Sequence, residues 1–155
     1  MKTLNIENAK IRYANFSGRE TEFNNLGNRN FCVDIEDEEL AKQMIEEGWN
    51  IRTRENADGD VTYYTQIKVN FREWDQPVIR LITVNADDEI VADVALQEEE
   101  IGMLDNPSLE IRNIDLIINP SHWTSRNGKM SGIKGYLRKA YVTIEEDPFE
   151  HKYRR

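Results

Sequence analysis

The stretch Val61–Arg72 constrains the fold more than any other part of the chain, because its side chains alternate without a break. Val61, Tyr63, Thr65, Ile67, Val69 and Phe71 fall on one side, and Thr62, Tyr64, Gln66, Lys68, Asn70 and Arg72 on the other. A period of two is the mark of a strand with one buried and one wet face. Just before it, Ala57-Asp58-Gly59-Asp60 contains Asp-Gly, a hairpin signal. The strand therefore folds back on Trp49–Arg54, where Arg52 and Arg54 oppose Trp49 and Ile51. Ala9–Tyr13, Asn30–Ile35, Val78–Val84, Leu109–Ile118 and Ile133–Ile144 read as further strands. The last one changes phase: Ile133 and Leu137 are apolar at odd positions, then Ala140, Val142 and Ile144 at even ones. A slip of one residue implies a β-bulge, and bulges bend strands strongly.

One helix is plain. Asp37 has the character of an N-cap, the first turn is acidic, and Leu40, Ala41, Met44 and Ile45 share a face before Gly48 ends the run. Residues 85–107 are acidic and lack a clean period, with a short second helix expected near 97–104. Tyr13–Arg29 and Asn119–Gly132 read as loops. The composite is a mainly β chain with minor α. It predicts an OB-like curled or closed β-barrel of about five to seven strands, with helices around 38–47 and 97–104. A chain of 155 residues is about one domain long, so 1–155 is expected to form a single OB-like domain.

A net charge of −9 looks hostile to nucleic acid, but it is local. Residues 34–47 carry −6 and residues 87–100 carry −7, which leaves the remainder at +4. Within residues 121–141 there are five bases, Arg126, Lys129, Lys134, Arg138 and Lys139, and no acid. Trp123, Tyr136 and Tyr141 are interleaved with them. If Ile133 and Leu137 face the core, Lys134, Tyr136 and Arg138 project together from the other side. Binders of single strands need this mixture, cations to follow phosphates and flat rings to accept unstacked bases. Tyr64, Lys68 and Arg72 repeat the pattern on the alternating strand, and Arg52 and Arg54 extend it across the hairpin. Phe16, Arg19 and Arg29 offer more rings and cations on loops, where clamping residues are common. The bland reading is a solvated sheet face with half-buried rings. A stacking platform takes RNA as readily as DNA, since only 2′-hydroxyl contacts separate the two.

Catalytic and cofactor patterns are missing. His122 and His151 are far apart and have no Cys or Asp spacing to join them in a metal site. No phosphate loop is present, and Glu98, Glu99 and Glu100 are sequential rather than convergent. Cys32, in an apolar run, reads as core filling. No apolar run reaches the roughly 18 residues of a membrane span, and Met1–Glu7 lacks a signal-like stretch, so the cytoplasm of the cell that makes the protein is expected. Ala9–Tyr13 is a candidate edge for pairing between copies of the chain. The acidic segments 34–47 and 87–100 support an alternative, a module that engages a host or replisome protein.

Several segments carry a resemblance. Tyr13-Ala14-Asn15-Phe16-Ser17-Gly18, Gly27-Asn28-Arg29-Asn30-Phe31-Cys32-Val33 and Glu47-Gly48-Trp49-Asn50 resemble small proteins of bacteriophage and prophage genomes. So do Asn113-Ile114-Asp115-Leu116-Ile117-Ile118-Asn119-Pro120, Asn127-Gly128-Lys129 and Tyr141-Val142-Thr143-Ile144-Glu145-Glu146-Asp147-Pro148-Phe149. The group is the phage single-stranded DNA-binding family, and the likeness spans roughly residues 9–153. It implies an OB-type barrel that coats single-stranded DNA in phage replication or recombination, usually without sequence preference. Many such binders end in an acidic tail that recruits replication proteins. Here Glu145-Glu146-Asp147 is followed by the basic His151-Lys152-Tyr153-Arg154-Arg155, so recruitment of replication or recombination partners would fall to the acidic segments instead.

Overall fold

Nine strands form one sheet: β1 (Leu4–Ile6), β2 (Ile11–Asn15), β3 (Asn30–Ile35), β4 (Arg52–Glu55), β5 (Val61–Lys68), β6 (Val78–Val84), β7 (Ile90–Ala95), β8 (Ile111–Thr124) and β9 (Ser131–Glu145). Helix α1 (Glu38–Glu47) and a 3-10 helix (Glu98–Asp105) complete the chain. The structure is a computed structural model and describes residues 2–147 and Phe149; His151 and the basic residues after it lie outside them.

The main path runs β1-β8-β9-β5-β3-β2, with β4 added to β5 and the β6–β7 hairpin added to β9. β2, β3 and β5 make an antiparallel meander, which meets β9 in parallel at Ile67↔Gly135 and Lys68↔Tyr136. A meander joined in parallel to the last strand is OB-like. β1 pairs with β8, and the Ala9 amide then donates to the Ile114 carbonyl (2.7 Å) before β2 turns to β3. β1 and β2 are thus two legs of one bent N-terminal segment. The sheet curls round through them without closing as an unbroken ladder.

The phase change in the last strand is a bulge. Ile117 pairs with Lys139 and Ile118 with Leu137, so Arg138 is the inserted residue. Before it, Ile133 and Leu137 enter the core; after it, Ala140 and Val142 do. Gly135 permits the β5–β9 junction, since a Cβ there would sit 2.6 Å from Ile67, 2.9 Å from Trp49 and 3.0 Å from Ile118. The core holds Phe31, Val33, Met44, Ile67, Ile79, Leu116, Ile118 and Val142. α1 inserts Ala41 and Met44 into it, and the 3-10 helix inserts Ile101 and Leu104. Asp37 caps α1 by accepting from the amides of Glu39 (3.0 Å) and Leu40 (3.3 Å), and Gly48 ends it at φ 110°. Cys32 is buried.

Three expectations need revision. Among the described residues the strand count is nine rather than five to seven, because the short β1 and the aperiodic β7 carried no alternation to read. Most of the expected loop 119–132 is strand, with only a turn at its tip. Trp49 lies outside β4; it is buried and forms an isolated parallel bridge to Ile133.

Candidate nucleic-acid interface

Residues directly opposite in a sheet share a face, so the ladders themselves assemble the site. On β5 the odd residues Thr65 and Ile67 are buried, which turns Tyr64, Gln66 and Lys68 outward. Pairing then places Arg52 of β4 beside Tyr64, with Arg54 two residues on. Tyr136 lies beside Lys68, with Lys134 on its own strand. Opposite these on β8 are Asn119 and Ser121, and Trp123 stands across from Gly132. Tyr64, Lys68, Arg52, Arg54, Lys134, Tyr136 and Trp123 therefore share one face, opposite the core.

At one end of this face, Tyr64 meets a ring that periodicity alone could not place there. The β2 ladder slips between Arg12 and Asn15, and Tyr13 adopts φ 54°. Left-handed backbone costs a non-glycine residue about 1–2 kcal/mol. It leaves Tyr13 63% exposed, 6.3 Å from Tyr64 between ring centroids and tilted 58° to it. Arg54 Nη1 donates to the Tyr13 hydroxyl (3.2 Å). A strained irregularity within a strand that presents an exposed, tethered ring suits contact with a ligand.

At the other end, Lys68 and Lys134 are neighbours. Burial, and then the charge of Lys134, hold the Lys68 ammonium below the usual lysine range. Arg72 lies over the Tyr136 ring, its guanidinium carbon 5.6 Å from the centroid, and with Asn70, Asn119 and Ser121 it lines a polar cleft that Asp75 also borders. Among the described residues, Lys68, Lys134, Arg52 and Arg72 form no ion pair. Among the described residues one buried carboxylate stands on the face, with Glu36, Glu38 and Asp60 lining the pocket beside it. Asp34, opposite Tyr64 on β3, is 4% exposed and held by Arg12 through Nε (2.9 Å) and Nη2 (2.9 Å). Its charge is already neutralised. α1 and the 3-10 helix pack against the core through Ala41, Met44, Ile101 and Leu104, while Glu38 at the start of α1 reaches the pocket that holds Asp34.

The remaining expected residues sort differently. Phe16 is 5% exposed, its ring 5.4 Å from Phe31, so it is core and presents no ring to a ligand. Arg29 braces the loop: Nε donates to the Phe16 carbonyl (3.1 Å), Nη1 pairs with Glu98 (3.3 Å), and the guanidinium lies 5.6 Å over Phe71. Arg19 lies 3.7 Å from Asp105, whose carboxylate also accepts from the amides of Phe16 and Ser17. Arg126 and Lys129 are exposed at the β8–β9 turn, closed by the Ser125 amide donating to Met130 (2.8 Å). Arg138 is exposed at the bulge. Trp123 is half-buried on β8, its ring across Gly132. Among the described residues no cluster of His, Cys, Asp and Glu could hold a metal, and no helix is long and apolar enough to cross a membrane.

A family described as "Putative phage ssDNA-binding domain" matches residues 1–155. Among solved structures, the single-stranded DNA-binding protein of bacteriophage Enc34 in complex with ssDNA is similar at 12% identity, over 95% of this chain and 89% of that one, with a TM-score of 0.49. The single-stranded DNA-binding protein gp2.5 of bacteriophage T7 is similar at 10% identity, over 100% of this chain and 98% of that one, with a TM-score of 0.45. No curated protein gives a significant match.

Proposed function

The chain belongs to the phage ssDNA-binding domain family, and on that premise we propose that it coats single-stranded DNA without catalysis and largely without sequence preference. Phosphates follow Arg52, Arg54, Lys68, Lys134 and Arg72, and bases stack on Tyr64, Tyr13, Tyr136 and Trp123. One observation carries this reading: rings and cations share a face whose single buried carboxylate is already paired, and two lysines stand together there. Adjacent cations without an acid repel each other until an anion arrives. Aromatic faces accept any base, which accounts for indifference to sequence. Phage replication or recombination in the host cytoplasm is the setting this reading supports.

Titration of a labelled homothymidine oligonucleotide tests it. Wild-type protein binds at low salt and leaves the oligonucleotide intact. Tyr136→Ala weakens binding by about 1–3 kcal/mol with an unchanged circular dichroism spectrum. An RNA oligonucleotide of the same length shows whether the platform separates the two sugars. Absence of binding at low salt, or metal-dependent cleavage, contradicts the reading.

A further inference from the structure

Beyond Lys68 the chain enters the 69–77 connection, which forms a small turn over the rim of the face. The amides and carbonyls of Arg72 and Asp75 exchange hydrogen bonds (3.3 Å each), with Glu73 and Trp74 at the tip. Buried Val69 and Pro77 pin the segment at both sides. Trp74 is 81% exposed, whereas Trp49 is 7% exposed. An indole is one of the largest apolar groups a protein can bury, yet this one is held in water on a short, closed turn. The foot of the turn is tied to the binding face, since Arg72 lies over Tyr136. A sister turn at Thr21–Asn24 presents Phe23 at 92% exposed, but neither residue at its foot is a cation or a ring.

We propose that the Arg72–Asp75 turn extends the single-strand track past Lys68 and Tyr136, with Trp74 as a further base-stacking residue. The ligand is an unstacked base of the strand that already lies on the sheet face, and Arg72 bridges the two stations. This rests on the function proposed above and adds to it a station on a loop, outside the sheet. The turn lengthens the footprint: strands short enough to end at Tyr136 never reach the indole, and longer ones do.

The test follows intrinsic tryptophan fluorescence and affinity with homothymidine oligonucleotides of about 4 to about 16 nucleotides, the range of sites on such folds. Oligonucleotides of every length quench Trp123 on the sheet face, long ones quench wild-type emission further, and that added quench disappears in Trp74→Ala. Affinity of Trp74→Ala for long oligonucleotides falls roughly 5- to 100-fold, affinity for the shortest is unchanged, and Trp74→Phe retains most of the binding. Equal binding of Trp74→Ala and wild type at every length, with Tyr136→Ala still impaired, overturns this inference and leaves the sheet-face reading standing. If neither variant is impaired, that reading falls too. A Trp74 emission shift that depends on protein concentration without DNA places the indole against a second copy and also overturns the inference.

Discussion

The two halves of β9 make opposite use of the same side chains. Ahead of the Arg138 bulge, Lys134 and Tyr136 stand beside Lys68 and Arg72, and no acid neutralises the cations. After it, Lys139 and Tyr141 stand beside Arg80 in an arrangement that looks alike in composition. There Lys139 Nζ lies 4.8 Å from the centre of the Tyr141 ring, Arg80 lies 5.6 Å from it, and Arg80 is paired with Asp93. Arg112 on β8 is likewise shared between Asp88 (2.5 Å) and Glu145 (3.8 Å). A cation with an acid beside it contributes at most about 1 kcal/mol at a surface and has little field left for a ligand. A cation without one keeps its field for phosphate. A count of bases along residues 121–141 treats Lys139 like Lys134, although Lys139 lies over the Tyr141 ring beside the acid-paired Arg80.

The largest effect is expected where both lysines are reversed. Lys68→Glu with Lys134→Glu should lower oligonucleotide affinity by roughly 100-fold or more at low salt, measured by fluorescence anisotropy. The matched double change Arg80→Ala with Arg112→Ala should leave it within about twofold. Gly135→Ala strikes the junction that brings the two lysines together. The added methyl meets Ile67, Trp49 and Ile118, so chemical denaturation should show a loss of about 1–3 kcal/mol. Tyr136→Ala and Tyr141→Ala compare the rings: the first should cost about 1–3 kcal/mol of binding, and the second less than about 0.5 kcal/mol, as for a surface substitution away from the site.

The smallest effect is in pH. Because burial and Lys134 disfavour its charged form, Lys68 loses its proton at lower pH than an ordinary lysine. DNA affinity should therefore begin to fall earlier in an alkaline titration than free lysine would dictate. Over the same rise the fold gains stability, since a penalised charge is removed. Lys134→Met should move the affinity midpoint upward, though only in part, because burial is the larger cause. An unmoved midpoint would mean that the two ammonium groups do not sense each other.

Much of this was legible in the residues. The alternation holds over Val61–Lys68, where β5 ends four residues short of the Val61–Arg72 reading; the phase slip near Arg138 is a bulge, and the cap and stop of α1 stand at Asp37 and Gly48. What escaped depends on the backbone or on distant partners. Tyr13 belongs to a strand by pattern, but at φ 54° its ring stands beside Tyr64, and a dihedral angle has no residue code for tyrosine. Asn119-Pro120-Ser121-His122 reads as a loop. It remains strand because β1 covers β8 only at Leu116–Ile118, which leaves Pro120 beyond that ladder, where a missing amide is tolerated. Phe16 and Arg29 read as loop residues free to clamp. Asp105 and Glu98, about 70 to 90 residues away, hold that loop against the core. Within acidic segment 87–100, Asp88, Asp93 and Glu98 pair with Arg112, Arg80 and Arg29, partners that a charge count along the sequence does not reveal.

The slope of log affinity against log salt tests most directly whether the acid-free half of β9 is where phosphate binds. Each phosphate contact on a single strand contributes about −0.7 to that slope. Lys68→Ala with Lys134→Ala should therefore flatten it by roughly 1.4, while Arg80→Ala with Arg112→Ala leaves it unchanged. Equal flattening by both pairs, or by neither, would contradict the division between the two halves.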